Sequence, residues 1–134
     1  MDQNVEKLRA IACEAMIALA EGRFDEADLL FHADAEWWII GQGTLSHARV
    51  RALAEQTEGE LVKRELKITG TIAEGNKVAV EARGAMAFAD GTAYENTYHH
   101  AITFMGEQII SVREYFDTHY VRQVFGGDTY EITP

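Results

Sequence analysis

Thr97-Tyr98-His99-His100-Ala101-Ile102-Thr103-Phe104-Met105-Gly106-Glu107-Gln108-Ile109-Ile110-Ser111-Val112-Arg113-Glu114-Tyr115-Phe116-Asp117 holds two runs of period-two alternation around a Gly-Glu turn. Tyr98, His100, Ile102 and Phe104 share one face of the first run; Ile110, Val112, Glu114 and Phe116 share one face of the second. Such alternation marks half-buried strands, and a short Gly-containing turn joins two of them as an antiparallel hairpin. The registers conflict, however. A two-residue turn at Gly106-Glu107 sets Phe104 opposite Ile109, not Ile110. Both apolar rows can line one face only if the second strand carries a bulge or the loop has three residues. One of these is predicted; otherwise His99, not His100, shares the face of Glu114.

Working outward, the same period reaches back to Lys63, where Leu66 and Ile68 alternate with Glu65, Lys67 and Thr69. Gly75-Asn76 and Asp90-Gly91 read as further hairpin turns. A four-strand meander follows, over about 63–73, 77–89, 93–104 and 108–117. The first half of the chain has helical spacing instead. Residues 3–21 place Val5, Leu8, Ala12, Ala15 and Leu19 on one stripe, and Gly22 is positioned to end that helix. Asp25 is the expected cap of a second helix reaching about Phe31, with Phe24 and Leu29 as its hydrophobic staple. Trp37-Trp38-Ile39-Ile40 reads as a short strand closed by Gly41-Gln42-Gly43. Ser46 caps a third helix ending near Gly59, with Leu45 and Val50 as staple. Asp117 or Thr118 caps a last helix, 118–125, with Gly126-Gly127 after it.

Helices first and strands later indicate an α+β fold. The expectation is one domain over residues 1–134: three helices on one face of a curved antiparallel or mixed sheet, plus a short C-terminal helix. Helices over long strands leave a cone with one open mouth, the usual place for a small apolar ligand.

Composition narrows the function. Twelve Lys and Arg face 22 Asp and Glu, a net charge of −10, which repels phosphate backbones and anionic membranes. The longest apolar run, residues 15–20, is too short to span a bilayer, and the polar N-terminus is unlike a signal peptide. The single cysteine, Cys13, allows neither an internal disulfide nor a thiolate-rich metal site. A soluble cytoplasmic domain with no nucleic-acid or membrane partner is expected.

Glu114 breaks the apolar pattern. A carboxylate on an apolar sheet face must be hydrogen-bonded, protonated or both. A proton held in such a cleft is what general acid–base catalysis uses, although a carboxylate satisfied by a neighbouring Arg or Tyr fits the pattern too. His100 is the partner on the adjacent strand, and Tyr98 shares its face. Val112 and Phe116 flank Glu114 as apolar lining. Arg83 shares a face with Glu81; the pair is either solvated on the outside, or Arg83 enters the pocket to hold Glu114 or an anionic group. Trp37 and Trp38 point to opposite faces, so one lines the pocket and the other packs elsewhere. His32 with Asp34, and His99 with His100, are the only close metal-ligand pairs, and neither has helical i, i+4 spacing or a third ligand. No metal or organic cofactor is expected.

The element order resembles the nuclear-transport-factor-2-like superfamily, and within it the SnoaL-like group. The residues that carry the likeness are Val80-Glu81-Ala82-Arg83-Gly84, Asp90-Gly91 with Tyr94-Glu95-Asn96-Thr97-Tyr98, and Val112-Arg113-Glu114-Tyr115-Phe116-Asp117-Thr118. The likeness runs from Val5 to Phe125 and implies a conical α+β fold and a homodimer. The chain is most similar to phenazine-biosynthesis A/B-type proteins, which implies an acid/base role for Glu114 and a pocket role for His100; their third-helix histidine is Ala54 here. Related ketosteroid isomerases carry acids or a tyrosine at positions that resemble Ile39, Ala15 and His100, and none is kept. Limonene-epoxide-hydrolase-like members orient water with a Tyr and an Asn at positions near Trp37 and Ile39, again not kept. Two functions remain. One is a cofactor-free isomerase, cyclase or condensing enzyme acting on a small hydrophobic ketone-like substrate, with Glu114 and His100 catalytic and Tyr98, Trp37, Trp38, Phe116, Val112 and Arg83 binding. The other is a non-catalytic ligand-binding dimer in contact through Ile109, Arg113 and Tyr115.

Overall fold

Gly22 fixes where the first helix stops. In the computed structural model, which describes residues 3–126, α1 (Gln3–Glu21) ends at Gly22 with φ 81°. There Arg23 N donates to Ala18 O at 2.8 Å and Gly22 N to Leu19 O at 3.3 Å, so two terminal carbonyls are satisfied. After α1 come α2 (Phe24–Asp28), β1 (Phe31–Ile39), β2 (Gly43–Ser46), α3 (His47–Gln56), a 3-10 turn (Glu58–Glu60), β3 (Leu61–Glu74), β4 (Lys77–Phe88), β5 (Ala93–Met105), β6 (Gln108–Phe116) and α4 (Thr118–Phe125). Gly127, expected after the last helix, lies outside the described residues, as do Met1, Asp2 and Pro134.

The strands form one mixed sheet in the order β2-β1-β6-β5-β4-β3. Only β1 and β6 are parallel; every other neighbour is antiparallel. The helical layer covers one face, with α1 lying over β3 and β4. Ala12 and Ala15 are fully buried, and their small side chains let α1 approach the sheet closely. The core joins Leu8 and Met16 of α1 to Trp37, Val78, Val80, Ile102, Phe104, Ile109 and Val112 of the sheet. Each large apolar side chain buried there contributes about 1.5–3 kcal/mol.

The predicted bulge is present in β6. Phe104 pairs with Ile109 and Thr103 with Ser111, which leaves Ile110 unpaired between them. The extra residue resets the alternation, so Ile109, not Ile110, takes the core position next to Phe104, and Val112 and Glu114 follow on the same face. Ile109 is therefore unavailable to the outer contact surface suggested for it.

Three local expectations differ from the structure. Asp25 does not cap α2: the residue before the helix is Arg23, which makes no side-chain cap bond, and Asp25 instead pairs with Arg51 at 2.8 Å. Leu29 is 78% exposed, so no staple forms with Phe24, which is buried beneath the Arg51 and Arg64 guanidinium groups. The second helix also stops at Asp28, and Phe31 begins a nine-residue strand. The polar look of His32, Asp34 and Glu36 hid that strand, because these side chains sit on its outer face while Phe31, Ala35, Trp37 and Ile39 are buried. The Gly41-Gln42-Gly43 segment is the turn of a hairpin into β2, an added edge strand. Two caps form as read: Ser46 Oγ accepts from Arg49 N at 3.1 Å and Asp117 Oδ1 from Tyr120 N at 3.1 Å.

Candidate functional site

The helices leave a cavity of about 200 Å³ against the concave sheet face. Met16, Leu19 and Ala20 of α1 and Val50 and Ala54 of α3 wall one side; Trp37, Leu66, Gly84 and Met86 wall the sheet side. Glu65 also borders the cavity, although its side chain is largely exposed. Tyr98, His100 and Glu114 bring polar atoms to this lining. Among the described residues, no Lys or Arg lines the cavity.

His100 and Glu114 are direct cross-strand partners of β5 and β6. His100 Nε2 lies 2.9 Å from Glu114 Oε1, with the side chains 4% and 19% exposed. In the neutral imidazole Nε2–H donates to the carboxylate, and buried Nδ1 has no hydrogen-bond partner among the described residues. The carboxylate on the apolar face is thus partnered, as its position demanded.

The Tyr98 ring stacks on His100 with centroids 5.8 Å apart and leans on Phe116 at 5.9 Å. Gly84 makes this possible: a Cβ there would sit 2.9 Å from Tyr98 Cε2. The Tyr98 hydroxyl donates to the hydroxyl of Tyr94 at 3.4 Å, and Tyr94 accepts a shorter bond from Asn96 Nδ2 at 2.7 Å. Burial pushes the Tyr94 phenol above its ordinary range despite its hydrogen bonds to Tyr98 and Asn96. Asn96 is pinned in turn, because its Oδ1 accepts from Asp117 N at 3.1 Å.

The other site residues separate by sheet face. Trp37 lines the cavity; Trp38, its neighbour, projects to the outer face, where the Arg113 guanidinium lies 4.1 Å over its ring and Tyr115 is 5.2 Å away. His99 is on that outer face too, 6.3 Å from Tyr115. Arg83 also points outward, 60% exposed and paired with Glu95 at 3.7 Å, so it neither enters the cavity nor meets Glu114. The register explains this: Ala82 pairs with the inward Tyr98, so Arg83 must face the other way. Val112 is fully buried in the core rather than at the cavity, and Phe116 is not part of the lining but packs against Tyr98. Ile39 and Ala15 are buried apolar residues.

Two residues that sequence reasoning passed over stand behind the cavity wall. His47 accepts a hydrogen bond from the Trp37 indole at 3.1 Å and lies 2.8 Å from Asp28 Oδ1. Burial pushes the Asp28 carboxyl up, but hydrogen bonds from His47 and Arg51 outweigh this and hold it below its ordinary range. A carboxyl with a lowered folded-state pKa contributes stability above its unfolded value, and that stability is lost as pH falls through the folded value. Asp28→Asn should therefore flatten the loss of stability below about pH 4, read as the urea midpoint against pH. An unchanged acid limb would remove Asp28 from the ledger of stabilising carboxylates.

Among the described residues, no three His, Cys, Asp or Glu side chains gather as a metal site, and no helix is long and apolar enough to cross a membrane. The family model of the SnoaL-like domain matches residues 14–112. Among solved structures, an NTF2-like protein from Burkholderia xenovorans shares 24% identity over 90% of this chain and 96% of its own, with TM-score 0.68. An LEH-like epoxide hydrolase from M. tuberculosis shares 20% over 90% and 91%, with TM-score 0.76. PrhC from Penicillium brasilianum shares 16% over 90% and 87%, with TM-score 0.81. At these identities the likeness is one of fold. No curated protein sequence matches the chain.

Proposed function

Starting from the fact that this chain belongs to the SnoaL-like domain family, we propose that its cavity is the active site of a cofactor-free acid–base enzyme acting on a small, uncharged, ketone-like substrate. The observation that carries this reading is the His100–Glu114 pair, 2.9 Å apart, at the wall of an otherwise apolar cavity. Glu114 Oε1 is held by His100, and its other oxygen takes a proton from the carbon next to the ligand carbonyl. The electron pair moves to the carbonyl oxygen, where the Tyr98 hydroxyl, part of the cavity lining, donates a hydrogen bond. In a β,γ-unsaturated ketone, returning the proton to the γ-carbon of the dienolate gives isomerisation; attack of the enolate α-carbon on a second carbonyl carbon of the same ligand, with the proton passing from Glu114 to the new alkoxide, gives cyclisation. A lining without Lys or Arg among the described residues disfavours anionic substrates. A cavity of about 150 Å³ takes a benzene, so this one suits a ligand of about one ring.

The experiment is deuterium uptake at the α-carbons of cyclohexanone and cyclohexenone in D2O, followed by NMR with and without the protein. Exchange above the buffer rate supports the enzyme. Saturable binding of either ketone without exchange supports the second reading, a ligand-binding module.

That second reading and the first share a homodimer built on the outer sheet face. Half-buried Trp38, Tyr115 and His99 gather there around Arg113. Light scattering should give twice the chain mass, and Trp38→Asp should give the monomer. A wild-type monomer at micromolar concentration would remove the dimer.

A further inference from the structure

The proton-transfer reading leaves one line of buried polar contacts unused. Trp37 Nε1–H donates to His47 Nδ1 at 3.1 Å, so Nδ1 is the acceptor nitrogen and the imidazole proton sits on Nε2. Nε2 then donates to Asp28 Oδ1 at 2.8 Å. The second Asp28 oxygen accepts from Arg51, which also pairs with Asp25 at 2.8 Å and Glu55 at 3.5 Å. The His47 ring stacks on Phe31 with centroids 3.8 Å apart, and only 8% of the residue is exposed. The Trp37 indole also meets His100 edge to face, with ring centroids 6.3 Å apart.

We infer that His47 is a positioning residue of the site: with Asp28 it anchors the indole of Trp37, and through the indole it sets the cavity wall and the seat of His100. A buried indole N–H needs an acceptor, so Trp37 cannot turn away from His47 without stranding its donor. A neutral imidazole can serve as that acceptor only in one tautomer, and the Asp28 carboxylate selects it by taking the Nε2 proton. Arg51 holds Asp28 in place. The line therefore runs from charged groups at α2 and α3, through β1, to the cavity.

The test reads the protein itself and needs no substrate. In 15N-labelled protein, with Trp38→Phe used to assign the two indoles, hydrogen exchange of the Trp37 indole N–H and the imidazole signals of His47 and His100 are followed. His47→Leu should speed indole exchange about tenfold or more and move the His100 signals, because the acceptor is gone. His47→Asn, whose amide oxygen can stand near Nδ1, should restore most of the protection. Asp28→Asn leaves the fold's volume unchanged and should turn His47 into a tautomer mixture with weaker indole protection. Wild-type exchange and His100 signals in folded His47→Leu, or in Asp28→Asn should the leucine variant fail to fold, overturn the inference. In the ketone exchange assay, rescue by His47→Asn should follow the rescue of indole protection. This inference rests on the proton-transfer reading only in that kinetic arm: absence of exchange in the wild type counts against the enzyme and leaves the spectroscopic outcome standing.

Discussion

Glu114→Gln should lower α-proton exchange by about 10²–10⁴-fold, the usual contribution of a positioned acid or base. The substitution changes almost nothing else. Gln keeps the length of the side chain and can still offer its amide oxygen to His100 Nε2–H, now 2.9 Å from Glu114 Oε1. Its amide nitrogen cannot take a proton from carbon. The carboxylate sits on an apolar face between Val112 and Phe116, so removing its charge should leave stability unchanged or raise it, the pattern of a group kept for function at a cost to the fold. Exchange rate and urea midpoint measured on the same samples separate the possibilities. A rate close to wild type would take Glu114 out of the chemistry, and a marked fall in stability would make it a structural carboxylate partnered by His100.

Trp37→Ala should destabilise the domain by about 3–5 kcal/mol, the range for truncating a buried large aromatic side chain. Trp37 is 3% exposed and touches three aromatic neighbours: Phe31 at 5.9 Å, His47 at 6.4 Å and His100 at 6.3 Å. The loss has two parts, a cavity beside β1 and an unpaired acceptor on buried His47. Trp37→Phe should cost less, because it refills much of the volume while still orphaning His47. Urea unfolding followed by far-UV circular dichroism gives both values. A loss below about 1 kcal/mol for the alanine variant would mean that the neighbours collapse into the space, and that the indole does not hold the wall.

Two binding candidates, Arg83 and Trp38, lie off the cavity for one reason. Arg83 and Trp38 were candidates because their chemistry suits a pocket, yet both stand on strands where the neighbouring residue faces inward. Alternation says that neighbours part; it does not say which of them faces the helices. Glu114 and His100 were different, because each lies in a row whose other members are unmistakably apolar. Even there the register mismatch at Gly106-Glu107 demanded a bulge before the two rows could meet, and Ile110 left unpaired meets that demand. The run His32-Ala33-Asp34 concealed the start of β1 because none of the three is buried, so no apolar row shows between Phe31 and Ala35. His47 carried no signal at all: its partners, Asp28 and Trp37, lie 19 and 10 positions away on other elements.

What this sequence determined alone is the set of features with a local physical cause. Glycines that permit left-handed turns at Gly22, Gly75, Gly91 and Gly106, side-chain oxygens that cap α3 and α4, and period-two rows that must bury one face required no knowledge of the rest of the chain. Only the tertiary structure decided which face of the sheet the helices cover, and hence that Trp37 rather than Trp38 borders the cavity. It alone brought Asp28, His47 and Trp37 into one hydrogen-bonded line. Hydrogen-bond partners distant along the chain are selected by packing, and packing is a property of the whole fold rather than of any stretch of it.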